Sequence, residues 1–157
     1  MIVYSYYESP AGLLRLESDG LSLTGLYFTE TSEHPISESP LFTSVKNWLD
    51  SYFRAQPCDP DFFIRLTGTP FQWQVWDILK SIPFGETITY GDIAREMAIR
   101  TGKRKMSAQA VGQAVGRNPV SIIIPCHRVI GAGGRLTGYA GGVDKKIWLL
   151  HHERWLK

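Results

Sequence analysis

Residues 89–118 read TYGDIAREMAIRTGKRKMSAQAVGQAVGRN, and this stretch decides the fold of the chain's second half. Thr89 can cap a helix over about 90–98, with Ile93 and Met97 facing inward one turn apart. Gly102 and the basic cluster Arg100-Thr101-Gly102-Lys103-Arg104-Lys105 make a turn. A further helix is predicted over about 107–117, ended by Asn118-Pro119. Helix, turn and helix within about 28 residues is the spacing of a helix-turn-helix. The later helix alternates Ala108, Ala110, Gly112, Ala114 and Gly116 with Gln109, Val111, Gln113 and Val115. Two interior glycines cost about 1 kcal/mol each relative to alanine, so something must approach this backbone closely. A packed neighbouring helix satisfies that, and so does a nucleic-acid groove; the adjacent basic cluster weighs toward the groove.

Working outward, Thr69-x-x-Gln72 with Pro70 between is a capping box. Phe71, Val75, Leu79 and Ile82 form the apolar stripe behind it, and Pro83-Phe84-Gly85 ends the helix. The first half starts with strand patterns. Ile2 to Glu8 is rich in β-branched and aromatic residues, and Leu14 to Phe28 reads as a hairpin with a tight two-residue turn at Asp19-Gly20. After a polar stretch over 31–40, Leu41, Val45, Trp48, Leu49 and Tyr52 recur at helical spacing, with Ser39 as cap and Pro40 at the first helical position. The expected fold is α/β (α+β): an N-terminal α/β lobe over 1–67 and a helix-turn-helix domain over 68–157.

The chain has 157 residues, 43% hydrophobic and 20% charged, the balance of a globular protein rather than a disordered or fibrous one. No run of 18 apolar residues occurs, and the start lacks the basic and small-residue pattern of a signal peptide. Two cysteines, Cys58 and Cys126, argue for a reducing compartment, so a cytoplasmic location is expected. The net charge of +2 is unevenly spread. Residues 1–67 hold four Lys/Arg against nine Asp/Glu, and residues 68–157 hold thirteen against six. A basic half of +7 suggests a polyanion partner.

Ser121-Ile122-Ile123-Ile124 is a continuous apolar run, read as a buried strand, and it ends in Pro125-Cys126-His127-Arg128. A histidine can convert a mostly protonated thiol to the thiolate that attacks carbon. Neighbours in extended chain point to opposite faces, so Cys126 and His127 can meet only across a turn or through a water. A buried structural cysteine beside a hydrogen-bonded histidine fits the pair as well. Val129–Thr137 reads as a glycine-rich hairpin turn that misses the phosphate-loop and dinucleotide spacings. A last helix, capped by Asp144, draws its core side from Ile147, Trp148, Leu149 and Leu150 and carries His151-His152-Glu153. Adjacent helical histidines lie about 100° apart and cannot share a metal, so no metal site is expected. Glu153 is a carboxylate able to orient an imidazole. Cys58, in Gln56-Pro57-Cys58-Asp59-Pro60, reads as an inert surface thiol.

The string Ile124-Pro125-Cys126-His127-Arg128-Val129-Ile130 closely resembles the active-site motif of the O6-alkylguanine-DNA alkyltransferases, the methylated-DNA–protein-cysteine methyltransferases. The likeness covers most of residues 68–153. Gly68-Thr69-Pro70-Phe71-Gln72, Pro83-Phe84-Gly85-Glu86-Thr87, Tyr90, Ala110-Val111-Gly112, Asn118-Pro119, Thr137-Gly138-Tyr139, Gly141-Gly142 and Trp148-Leu149-Leu150 fall in the family's order. The first 67 residues match only in general layout.

The resemblance implies a ribonuclease-H-like N-terminal lobe, a winged-helix-like DNA-binding domain, and stoichiometric repair of O6-alkylguanine, with O4-alkylthymine as a further candidate. No cofactor is implied. Cys126 would accept the alkyl group, His127 would activate it through a bridging water, and Glu153 would hold the imidazole. Tyr90 would donate to the departing guanine and press on the adjoining phosphate. Asn118 would tie the recognition helix to the active-site turn, and the backbone around Val129 and Tyr139–Ala140 would line the base pocket. Gln109, Ala110, Gly112, Arg104, Lys105 and Arg117 would meet double-stranded DNA, bound by a monomer. Gln109 departs from the family's usual arginine, and Ala140 stands where serine is common. Three other readings carry their own signatures: a lesion sensor, which would lack the acceptor cysteine; a cysteine hydrolase, which would turn over; and a plain helix-turn-helix regulator, which needs neither Cys126 nor Glu153.

Overall fold

A computed structural model describes residues 1–157. The chain is mixed α/β and divides into two compact units: Met1–Thr67 with Pro119–Ser121, and Gly68–Asn118 with Ile122–Lys157. The expectation of an unbroken second unit over 68–157 thus differs in one place, because three residues after Asn118 belong with the first.

In the first unit β1 (Val3–Ser9), β2 (Gly12–Ser18) and β3 (Leu23–Phe28) form an antiparallel sheet in that order. The β2–β3 hairpin forms as expected, but its connection spans four residues, Asp19 to Ser22, rather than two. The Asp19 carboxylate explains this, accepting from the backbone N–H groups of Leu21 (3.0 Å) and Ser22 (2.8 Å), while Gly20 takes φ +101°. Both sheet edges are covered. Tyr4 of β1 bridges to Ile36, and β3 bridges to Ile64 through Leu23 and to Val120 through Leu26. Helix α1 (Pro40–Phe53) starts at Ser39, whose hydroxyl accepts from Phe42 N at 3.1 Å, and buries Phe42, Val45, Trp48, Leu49 and Tyr52. Leu14, Leu16, Leu23 and Leu26 of the sheet are fully buried in the same core. Each such side chain contributes about 1.5–3 kcal/mol.

The second unit is helical. Helix α2 (Pro70–Lys80) opens on the reciprocal Thr69–Gln72 capping box, and its Trp76 Nε1 donates to Ala114 O of α4 at 2.9 Å. A two-residue strand β4 (Ile88–Thr89) leads into α3 (Tyr90–Thr101), capped by Thr89 and Asp92 in a second reciprocal box. Gly102 closes α3 at φ +70°, and α4 (Ala108–Gly116) follows from a Ser107 cap. Strand β5 (Val129–Ile130) pairs in parallel with β4, Ile88 opposite Val129 and Thr89 opposite Ile130. This short ladder fixes Tyr90, the first residue of α3, near the turn that precedes Val129. Helix α5 (Val143–His152) ends the unit.

Four local expectations are corrected. Residues 121–124 form a turn rather than a strand, with Ile122 in the left-handed region at φ +70°. Val129–Thr137 is no hairpin, since β5 pairs with β4 and residues 132–134 make a single 3-10 turn. The α5 N-cap is Gly142, with Asp144 inside the first turn. Ile147 is 36% exposed, whereas Lys146 is fully buried beside Leu149 and Leu150.

Candidate active site

Asn118 leaves α4 buried and donates from Nδ2 to Ile124 O at 2.7 Å, which pins the turn that follows. Beyond Pro125 the chain makes one 3-10 turn, Cys126–Arg128, and all three side chains are buried. Successive 3-10 residues project about 120° apart, so sulfur, imidazole and guanidinium reach three different surroundings.

Glu153, just past α5, receives two of them. Its carboxylate accepts from His127 Nε2 (2.6 Å), Arg128 Nε (2.7 Å), Arg128 Nη2 (3.0 Å) and Gly85 N (3.0 Å). Gly85 has φ +82° and a Cβ there would lie 3.2 Å from Glu153 O, so glycine is required for this approach. Arg128 also donates from Nη1 to Ile82 O at 2.7 Å and lies 5.7 Å over the Phe84 ring. Burial alone would raise the Glu153 carboxyl, but the bonds and charges of His127 and Arg128 outweigh it and hold the group well below the usual carboxylate range. Burial depresses His127, against the pull of Glu153, and the charges of Arg128 and Lys146 push the same way as burial. An ionised Glu153 only accepts, so Nε2 carries the proton of the neutral ring and Nδ1 is the acceptor, buried without a protein partner.

Cys126 is buried beside this group. Burial pushes its thiol up, while hydrogen bonds from Asn118 and Tyr139 and the charge of Lys146 pull it down. Tyr90 stands across the opening, with its hydroxyl near Gly138 O (3.3 Å) and Thr137 O (3.5 Å). Burial and then Cys126 raise the Tyr90 phenol, which therefore stays a donor at neutral pH. A Cβ at Gly112 would meet the Tyr90 ring at 3.8 Å, so this helix face runs directly past it. A cleft of about 740 Å³ opens here, lined by Tyr90, Gln109, Gly112, Thr137, Tyr139 and Ala140.

The structure thus gathers Cys126, His127, Glu153, Tyr90 and Asn118 at one place, with Tyr139 and Ala140 on the cleft wall. The Val129 carbonyl is already engaged, accepting from Lys146 Nζ at 2.5 Å. Gln109, Arg104, Lys105 and Arg117 are exposed, and Ala110 and Gly112 are half-buried, on or beside α4. Arg100 is drawn out of the basic cluster by Asp77 (3.0 Å) and Glu96 (3.2 Å), leaving Lys103, Arg104 and Lys105 as its free cations. His151 is exposed, while His152 stacks on Trp148 at 5.3 Å. No cluster of three or more His, Cys, Asp or Glu side chains is arranged to hold a metal.

Sequence reasoning passed over Arg128 and Lys146 as site residues. A signal for Lys146 was present: Lys146, Leu149, Leu150 and Glu153 follow i, i+3, i+4, i+7, a single helical face.

The site also predicts an acid response. A buried neutral imidazole with a lowered pKa contributes stability that is lost as pH falls below about 6.5, where the unfolded chain's histidine gains a proton. The depressed Glu153 carboxyl acts in the same direction at lower pH, its contribution fading as pH falls from the ordinary carboxylate range through its folded value. Urea midpoints are expected to drop between pH 7.5 and 5.5, with a smaller drop in His127→Gln. An equal drop in both proteins would remove His127 as the cause.

Two family models match the chain: "6-O-methylguanine DNA methyltransferase, ribonuclease-like domain" over residues 2–65, and "6-O-methylguanine DNA methyltransferase, DNA binding domain" over residues 70–155. A methylated-DNA–protein-cysteine methyltransferase of Mycolicibacterium paratuberculosis is 42% identical, covering 98% of this chain and 93% of the relative. One from Methanosarcina acetivorans is also 42% identical, over 96% of this chain and 97% of the relative. The crystal structure of the Mycobacterium tuberculosis O6-methylguanine methyltransferase superposes with a TM-score of 0.83 at 41% identity, covering 98% of this chain and 93% of that one. The Mycobacterium tuberculosis OGT structure in complex with DNA gives the same TM-score and identity over 96% and 92%.

Proposed function

The chain belongs to the 6-O-methylguanine DNA methyltransferase family, and on that premise we propose that Cys126 is the sulfur to which it transfers the alkyl group of O6-alkylguanine. The protein is a methylated-DNA–protein-cysteine methyltransferase that repairs DNA by moving an alkyl group onto a cysteine. The observation that carries the residue assignment is the His127–Glu153 pair. Glu153 fixes the imidazole with Nδ1 as acceptor, in the same 3-10 turn as the buried Cys126, and Tyr90, whose phenol Cys126 influences, lines the cleft.

The reaction follows from those positions. The alkyl carbon is hidden in a duplex, so the nucleotide is flipped out at a cost of a few kcal/mol. His127 Nδ1 takes the thiol proton through a bridging water, and Glu153 balances the imidazolium. The thiolate attacks the alkyl carbon: the S–C bond forms, the C–O6 bond breaks, and its electron pair leaves with guanine. Tyr90, held as a neutral phenol, donates to the departing base and stabilises its developing charge. Asn118 anchors the turn and donates to the sulfur. The product is a thioether that nothing in the site displaces, so each molecule acts once. O4-alkylthymine presents the same kind of O-alkyl carbon and is a further substrate of this chemistry.

Residues 68–157 carry DNA binding and alkyl acceptance, and 1–67 form an accessory lobe. Helix α4 presents Gln109, Ala110 and Gly112 to the groove, with Arg104, Lys105 and Arg117 on phosphates; Val129, Tyr139 and Ala140 surround the everted base. One copy of the chain meets double-stranded DNA, in the cytoplasm; no helix is long and apolar enough to cross a membrane. The test is to incubate the protein with an O6-methylguanine oligonucleotide and weigh it intact. A gain of one methylene's mass, mapped to the Cys126 peptide, supports the reading. Tight binding with no gain points to a lesion sensor, and repeated turnover to a hydrolase.

Gln109 is uncharged and shorter than arginine, so it fills less of the gap left by a flipped base. Gln109→Arg is expected to tighten duplex binding by more than about twofold, with a steeper salt dependence from the added cation. A smaller change in a titration at two salt concentrations would show that Gln109 carries no penalty.

A further inference from the structure

Lys146 is a buried cation without an anion. Its side chain is fully enclosed, and Nζ donates to two neutral carbonyl oxygens, Val129 O at 2.5 Å and Thr137 O at 3.0 Å. It makes no ion pair, in contrast to its neighbour Lys145, which meets Asp144. The nearby carboxylate, Glu153, lies two turns further along α5 and is already matched by His127 and Arg128. An ammonium buried against two carbonyl dipoles and the Tyr90 ring, 5.9 Å away, is costly unless a negative charge comes within reach. The group able to supply one is Cys126. Val129, whose carbonyl Nζ holds, directly follows the Cys126–Arg128 turn. Burial lowers the Lys146 ammonium and the Cys126 charge opposes that lowering; burial raises the Cys126 thiol and the Lys146 charge opposes that rise.

We propose that Lys146 is the counter-cation of the Cys126 thiolate, a positioning residue that holds the sulfur ionised and ties the Thr137 end of the pocket loop to β5. This rests on Cys126 being the acceptor and adds the charge that prepares it. The proton leaving sulfur goes to His127 Nδ1; Lys146 keeps its own throughout and stabilises the anion electrostatically. Besides the neutral Asn118 amide, five other side chains surround the sulfur or its partners: Tyr90 from α3, Tyr139 from the pocket loop, His127 and Arg128 in the same turn, and Glu153 beyond α5. His127, Arg128 and Glu153 form their own hydrogen-bonded group, and the Tyr90 phenol, raised by burial, is a neutral donor at pH 7. The charges of that group sum to zero before the proton moves, so Lys146 is the formal charge the sulfur meets first, and the His127 imidazolium joins it once the proton has transferred.

The experiment uses the full chain with Cys58→Ser, which removes the exposed thiol and leaves the site untouched. The rate of Cys126 alkylation by a small alkyl iodide is followed against pH. Lys146→Gln keeps a donor for the two carbonyls and loses the charge. The midpoint is expected to rise by about one pH unit, a roughly tenfold smaller thiolate fraction at fixed pH, and Lys146→Arg is expected to recover most of it. Methyl transfer from an O6-methylguanine oligonucleotide should slow in parallel at neutral pH. A folded Lys146→Gln with an unshifted midpoint overturns the proposal and reduces Lys146 to a structural tie. Should the Lys146 variants not fold, the coupling is read from the other side, because it is reciprocal. The Lys146 amine, followed by NMR of its ε-methylene, should lose its proton at lower pH in Cys126→Ser than in the parent, and identical titrations would overturn the idea. If the parent protein gains no methyl from the oligonucleotide, the acceptor assignment itself has failed, whatever Lys146 does.

Discussion

Cys126→Ser abolishes methyl gain from O6-methylguanine DNA while leaving DNA binding within about twofold of the parent. Serine is nearly isosteric, and the cleft walls from Tyr90 to Ala140 do not depend on the sulfur. The hydroxyl, however, is not ionised by an imidazole to any useful extent, and it is a far poorer nucleophile toward an alkyl carbon than a thiolate. Intact-protein mass after incubation with the lesion is the readout, with the parent expected to gain one methylene's mass at a single site. Methylation of the variant, or of Cys58 in the parent, would refute the assignment. Cys58 is exposed, and the cleft it lines holds no histidine.

Glu153→Gln has the next largest effect, and it strikes stability as well as chemistry. The carboxylate accepts four hydrogen bonds, three of them from His127 and Arg128, in a buried site. Removing one partner of such a buried ion pair costs about 3–5 kcal/mol, because the remaining charge, here Arg128, is stranded. A glutamine amide would also turn an N–H toward a group that donates, so either His127 or Arg128 loses its acceptor. Chemical denaturation should show the loss. Among molecules that remain folded, methyl transfer should be slower than in the parent, since the imidazolium formed on proton uptake has lost its balancing charge. A variant as stable as the parent, transferring at the parent's rate, would show that Glu153 is not the hub described here.

The Thr69–Gln72 box and the Thr89 cap were readable because each is a local pattern whose energy is spent within one turn, while the answering Asp92 side chain came only with the structure. The helix-turn-helix followed from them. Cys126, His127 and Glu153 were legible as chemistry, yet their geometry was not. The run Ser121–Ile124 is apolar like a buried strand, and burial alone cannot distinguish a strand from a buried turn. Asn118 decides it from outside the run, by holding Ile124 O while Ile122 takes a left-handed backbone. In α5 the error had another cause. Ile147 was read as core by its side chain, whereas the helical period assigns that face to Lys146, and the period wins. Arg128 was quoted within the motif but given no role, since nothing local says that an arginine will be buried against the same carboxylate as its neighbour.

The Tyr90 hydroxyl reaches Gly138 O at 3.3 Å and Thr137 O at 3.5 Å, both at the long end of hydrogen-bond geometry. Contacts so extended, on a half-exposed ring, are worth under about 1 kcal/mol together. A visiting purine therefore meets a door on a weak spring. That threshold does not tell guanine from its damaged counterpart, so discrimination falls to the cost of flipping, lower for a poorly paired base, and to whether a reactive carbon comes within the sulfur's grasp during the visit.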